Sequence, residues 1–103
     1  MKKRPQWFPF YTGDFLRDTL DLDAQQIGCY ILLLCHYYVH GSLPIEANLL
    51  RKVGRISKQQ WPAIAKALAP KFGPAWTHKR VDQEIEKQEK LSRRRKEYGR
   101  EGG

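Results

Sequence analysis

A chain of 103 residues, 41% hydrophobic and 12% aromatic, is enough for one modest core, which excludes two large domains and disorder throughout. Its formal charge of +8 is unevenly spread: residues 7–50 hold one basic side chain against five acidic ones, whereas residues 51–80 hold eight basic side chains and no acid. The longest apolar run, Cys29 to Cys35, falls short of the roughly 18 residues of a membrane span, and Lys2, Lys3 and Arg4 lead into Pro9, Gly13 and Asp14 rather than a signal core. No membrane partner is therefore expected, and a cytoplasmic location is. Cys29 and Cys35 stand six apart on what reads as one helix, about 9 Å between Cα atoms and beyond the roughly 7 Å reach of a disulfide, as suits a reducing compartment.

After a basic arm, residues 1–6, the segment 5–13 sets four aromatics around two prolines. That forbids a regular helix and predicts an extended stretch laid on an apolar surface. Asp14 to Leu20 reads as a short helix or turn with Phe15 and Leu16 inward. A helix is predicted from Ala24 to His40, opened by the capping pair Asp23 and Gln26 and ended by Gly41 and Pro44. Ile27, Tyr30, Ile31, Leu34 and Tyr38 share one stripe of it and Cys29, Leu32 and Leu33 the other side, so it is apolar nearly all round and needs cover on two faces.

Ile45, Leu49, Leu50 and Val53 mark a short second helix stopped by Gly54. Ser57 and Gln60 pair ahead of a third, with Trp61, Ile64, Ala65 and Leu68 inward and an end before Pro70; Pro62 would delay its regular part by a turn. Phe72 to Val81, with a Gly-Pro turn and β-prone Trp76 and Thr77, reads as a small hairpin or single strand. From Asp82 to Tyr98 the composition is helical and charged with few apolar anchors, predicting a docked first half and a solvated or frayed second half, then a flexible end or linker at 99–103.

The expected fold class is thus mainly α with a small β-hairpin, a winged helix-turn-helix-like core over residues 7–81 with the long charged helix 82–98 behind it. The basic block falls where such a module meets DNA. On the third helix the face opposite the apolar stripe carries Gln59, Ala63 and Lys66 with Lys58 on a flank; Gln reads adenine, Lys reaches guanine or phosphate, and Ala allows close approach. Arg51, Lys52 and Arg55 before the turn, and Lys79 and Arg80 on the expected wing, would be phosphate clamps.

The segments Trp7-Phe-Pro-Phe-Tyr-Thr-Gly-Asp-Phe-Leu16, Gln26-Ile-Gly-Cys-Tyr-Ile-Leu-Leu33, Gly41-Ser-Leu-Pro44 and Trp76-Thr-His-Lys-Arg-Val81, with the basic tail, in this order, resemble the YdaU-type domain of unknown function found at the N-terminus of phage and prophage proteins. The resemblance extends over residues 7–103. It implies a winged-helix-like domain among phage replication proteins and no catalytic residues to transfer. The function expected is binding of double-stranded DNA in phage or prophage replication initiation or its regulation. The alternative is a protein-interaction module that recruits or inhibits a host replication factor through the aromatic N-terminus or the charged helix.

An enzyme is not expected, nor a cofactor. His36 and His40 have a metal-gripping i, i+4 spacing without a third ligand, and histidines at a helix end also suit its dipole. The sequence contains no glycine-rich phosphate loop, no G-x-S-x-G and no H-E-x-x-H.

Overall fold

A computed structural model describes residues 7–101, with side chains as far as residue 94. The basic arm 1–6 and the last two glycines lie outside the described residues. Five helices follow one another: α1 Thr12–Asp18, α2 Ala24–His40, α3 Ala47–Val53, α4 Trp61–Leu68 and α5 Lys79–Glu101, with two 3₁₀ turns at Ala69–Lys71 and Pro74–Trp76.

The central helix α2 has the predicted limits because both ends carry local chemistry. Asp23 accepts from the Gln26 backbone N–H while the Gln26 side chain accepts from the Asp23 N–H, and Gly41 ends the helix with φ 86°. Its buried residues, Cys29, Tyr30, Leu33, Leu34, Tyr37 and Tyr38, fall within about 180° of the helix wheel, where α3, α4 and α5 pack, whereas Gly28, Cys35 and Val39 on the far side are exposed, so the cover expected on both faces is not complete. Leu33 of α2, Leu50 of α3 and Leu68 of α4 are each at most 1% exposed, which places the core where these three helices meet. Phe8 stacks on Tyr38 and Phe15 on Tyr30, so the N-terminal aromatics cover part of the second face. Arg80 holds α1 against α5 through Asp14 and Asp18 at 3.8 and 3.6 Å.

Helix α3 is capped by Glu46, whose carboxylate accepts from the N–H groups of Asn48 and Leu49. Its C-terminal side is a Schellman closure: Arg55 N–H donates to Lys52 O and Ile56 N–H to Arg51 O, with Arg55 in the left-handed region at φ 59°. Gly54, at φ −78°, is needed for a different reason. A Cβ there would run into Cys29 Sγ, so glycine lets α3 lie directly on α2. Ser57 Oγ then accepts from Gln60 N–H in a separate turn, and α4 becomes regular only at Trp61, the one-turn delay expected from Pro62.

Four expectations need correction. No hairpin forms: among the described residues there is no strand, so the fold is mainly α and not winged. The β-prone stretch has no partner strand. Ala75 and Trp76 adopt φ 55° and 59°, Gly73 N–H closes on Thr77 O at 2.7 Å, and Trp76 packs on Trp61 and Phe72. Lys79 and Arg80, expected on the wing, open α5 instead. The connection between α3 and α4, residues 54–60, is longer than the three or four residues of a helix-turn-helix, because the Schellman closure and the Ser57 turn follow one another. Leu16, expected inward, is exposed, and so are Ile45 and Leu49 of the spacing that marked the second helix.

Candidate nucleic-acid interface

The acid-free run 51–80 divides into two groups of cations. Three serve the fold: Arg51 donates to Asn48 Oδ1 at 2.8 Å and to Ile56 O at 3.4 Å, bracing the α3 closure; Lys71 pairs with Asp21 at 2.8 Å; Arg80 holds α1. Lysine 71 also keeps the Asp21 carboxyl below its ordinary pKa. Arg51 and Arg80 are therefore brackets of the structure and not free clamps. Lys52, Arg55, Lys58, Lys66 and Lys79 are exposed, and none has a carboxylate partner among the described residues.

Of the free cations, four lie on α3, the connection and α4. Lys52 sits in the last turn of α3, Arg55 at its left-handed closure and Lys58 in the Ser57 turn. On α4, Trp61, Ile64 and Leu68 are buried, which at 100° per residue turns Ala63 and Lys66 to the opposite, exposed side. Gln59 is exposed just ahead of them, and Gln25 of α2 donates to Gln60 Oε1 at 2.9 Å, tying the start of α4 to α2. The structure thus keeps Lys52, Arg55, Lys58, Gln59, Ala63 and Lys66 exposed on α3, α4 and the connection between them, and separates Lys79, which belongs to α5.

Lys79 and Arg80 instead border a cleft of about 690 Å³ that Tyr30, Lys71, His78 and Asp82 also line. Its polar groups hold one another. His78 Nδ1 accepts from Val81 N–H at 3.3 Å, capping α5, so Nε2 carries the proton and donates to Tyr30 Oη at 3.0 Å. Tyr37 Oη donates to Asp82 Oδ1 at 2.6 Å and accepts from His78 N–H at 3.3 Å. Burial, then the nearby Arg80, holds the His78 pKa below its ordinary value, and burial raises those of Tyr30 and Tyr37. Sequence reading missed this network because Tyr37 and Asp82 are 45 residues apart. The one local signal was an imidazole immediately before a helix start.

Residues 6–86 match the family described as "Protein of unknown function (DUF1376)", and the chain belongs to that family. It is also similar to the "Uncharacterized protein YdaU" of Escherichia coli (strain K12), 32% identical over 92 residues that span 85% of this chain and 32% of the relative. The chain therefore spans about a third of that relative's length. No solved structure matches it. Among the described residues, no helix is long and apolar enough to cross a membrane.

Proposed function

We propose that this member of the DUF1376 family binds nucleic acid, double-stranded DNA foremost, through α3, α4 and the connection between them. The observation that carries this is the division of cations: in a run without acids, Lys52, Arg55, Lys58 and Lys66 stay exposed, with no carboxylate partner among the described residues, while three neighbours are spent on the fold. Phosphate contact releases counterions and rewards such a surface without further geometry. Lys52, Arg55 and Lys58 would position the backbone, and Gln59, Ala63 and Lys66 would face base edges. The free, exposed thiol of Cys35 accords with a reducing, cytoplasmic location. A place in phage or prophage replication, in initiation or its regulation, comes from the resemblance of the sequence segments.

The test is fluorescence anisotropy with a labelled random duplex and the matching single strand over a salt series. Binding to duplex that falls steeply with salt is expected. The quadruple variant K52Q/R55Q/K58Q/K66Q should reduce the slope of log K against log salt by about 3 to 4. Absence of binding at low salt would refute the proposal.

A second reading has its own observation. Trp7, Phe10, Leu16 and Leu20 are 67%, 52%, 68% and 83% exposed, an apolar set on the N-terminal segment and α1 that suits a protein partner such as a phage or host replication factor. A chain that ignores nucleic acid but loses association with such a factor in W7A/F10A would favour it.

A further inference from the structure

The outward face of α5 gathers three of its cations into one stripe. Val81, Glu84, Ile85 and Gln88 turn toward the rest of the molecule, and Glu84 is buried with Tyr11 Oη donating to its Oε1 at 3.2 Å. At 100° per residue, Asp82, Glu86 and Glu89, followed by Arg93, form one stripe beside that packed side, and Lys87, Lys90 and Arg94 form another about 100° further round. Gln83, Glu86, Lys87, Lys90, Leu91 and Arg94 line one shallow groove of about 370 Å³ along the helix, so the three cations border the same groove, with Glu86 at its edge. All three are exposed. Lys90 has one ion pair, to Glu86 at 3.2 Å, and Lys87 and Arg94 have none among the described residues.

Glu86 with Lys90 and Glu89 with Arg93 are favourable i, i+4 pairs, but the cation stripe itself adds spacings that they do not explain. Lys87 and Lys90 are i, i+3 and Lys90 and Arg94 are i, i+4, while Asp82 and Glu86, and Glu86 and Glu89, repeat the pattern in acids. Like charges at these spacings weaken a helix, whereas alternating signs strengthen it. The three cations cover about 10.5 Å of helix axis, a length over which one strand of duplex DNA presents about three phosphates. A single-sign stripe on a rigid rod thus matches a regular polyanion.

We propose that the Lys87, Lys90, Arg94 face of α5 is a second nucleic-acid contact, lying along the phosphate backbone. This rests on the nucleic-acid reading of α3 and α4 and adds a separate surface to it. The test uses the full chain and a labelled duplex of about 25 base pairs between 50 and 200 mM salt. K87Q/K90Q/R94Q should lower the slope of log K against log salt by about 2 to 3, at unchanged helical circular dichroism, and K87R/K90R/R94K should retain the parent slope. An unchanged slope in the glutamine variant, with the α3–α4 variant still impaired, overturns the α5 contact and leaves the first surface standing. A parent chain that binds no nucleic acid overturns both. Loss of binding to anionic phospholipid vesicles, with duplex binding intact, would assign the stripe to a membrane surface and overturn it as well.

Discussion

Arg55 offers a test in which stability and binding should move in opposite directions. It closes α3 with φ 59°, where a side chain clashes with its own carbonyl and an L-residue gives up roughly 1–2 kcal/mol. Arg55→Gly removes that strain but adds backbone freedom to the unfolded chain, which returns roughly 0.5–1 kcal/mol. The net is a gain of about 0.5–1 kcal/mol, and at roughly 4–8 °C per kcal/mol for a domain of this size Tm should rise by about 2–8 °C. The same change deletes one exposed cation from the α3–α4 surface, so the slope of log K against log salt should fall by about 0.9. Arg55→Lys keeps charge and strain and should leave both readouts near their starting values. Urea denaturation and anisotropy on the three proteins decide it. A glycine variant that is less stable would mean the arginine side chain contributes contacts exceeding the strain; one that is more stable and binds unchanged would remove Arg55 from the interface.

Gly54→Ala should cost about 1–3 kcal/mol through overlap with Cys29, and Cys29→Ala in the same chain should recover a large part of it; additive losses in the double-mutant cycle would rule out the contact. Alkylation of the native protein with iodoacetamide should modify Cys35 alone, because Cys29 is 2% exposed and its thiol is pushed up to about 11 by burial; mass spectrometry should show the second adduct only in denaturant. His78 has a folded pKa below its ordinary 6.5, so the unfolded chain binds the extra proton first: this stability is complete above pH 6.5 and is lost as pH falls from there through the folded value. His36, lowered by burial and by His40, adds loss in the same direction, so His78→Asn should flatten the fall in urea midpoint between pH 7.5 and 5 without abolishing it. Equal falls in the two proteins would exclude His78 as a contributor.

What the sequence made legible was chemistry confined to a few neighbouring residues. The limits of α2 were readable because Asp23, Gln26 and Gly41 act within one turn, and the inward face of α4 because Trp61, Ile64 and Leu68 repeat at helical spacing. The closure of α3 was displaced by one residue: glycine suggested the left-handed position, but Gly54 is reserved for contact with Cys29 and Arg55 takes that position. The hairpin expected at Phe72 to Val81 rested on local β-preference, which loses to the packing of Trp76 on Trp61 and to the His78 cap that starts α5. Arg80 could not be recognised as a bracket from its neighbours, since Asp14 and Asp18 lie on α1. The stripes of α5 were present at i, i+3 and i+7, but a composition reading averages opposite charges that helical geometry separates.

The cover on the buried side of α2 also bears on the order of assembly. Its cover comes from Phe8 and Phe15 before it, from α3 and α4 after it and, last of all, from Val81 and Ile85 of α5. The tie between Tyr37 and Asp82 closes a loop of 45 residues, whereas α3 reaches α2 across a short turn. Loop closure grows costlier with length, which predicts that α5 docks after the shorter-range contacts are in place. A nascent chain that has not yet delivered residue 81 carries a long helix whose Tyr37 lacks its carboxylate and whose apolar flank is open to other chains. The first turns of the charged helix thus also act as a latch, with Val81 and Ile85 covering that flank of α2.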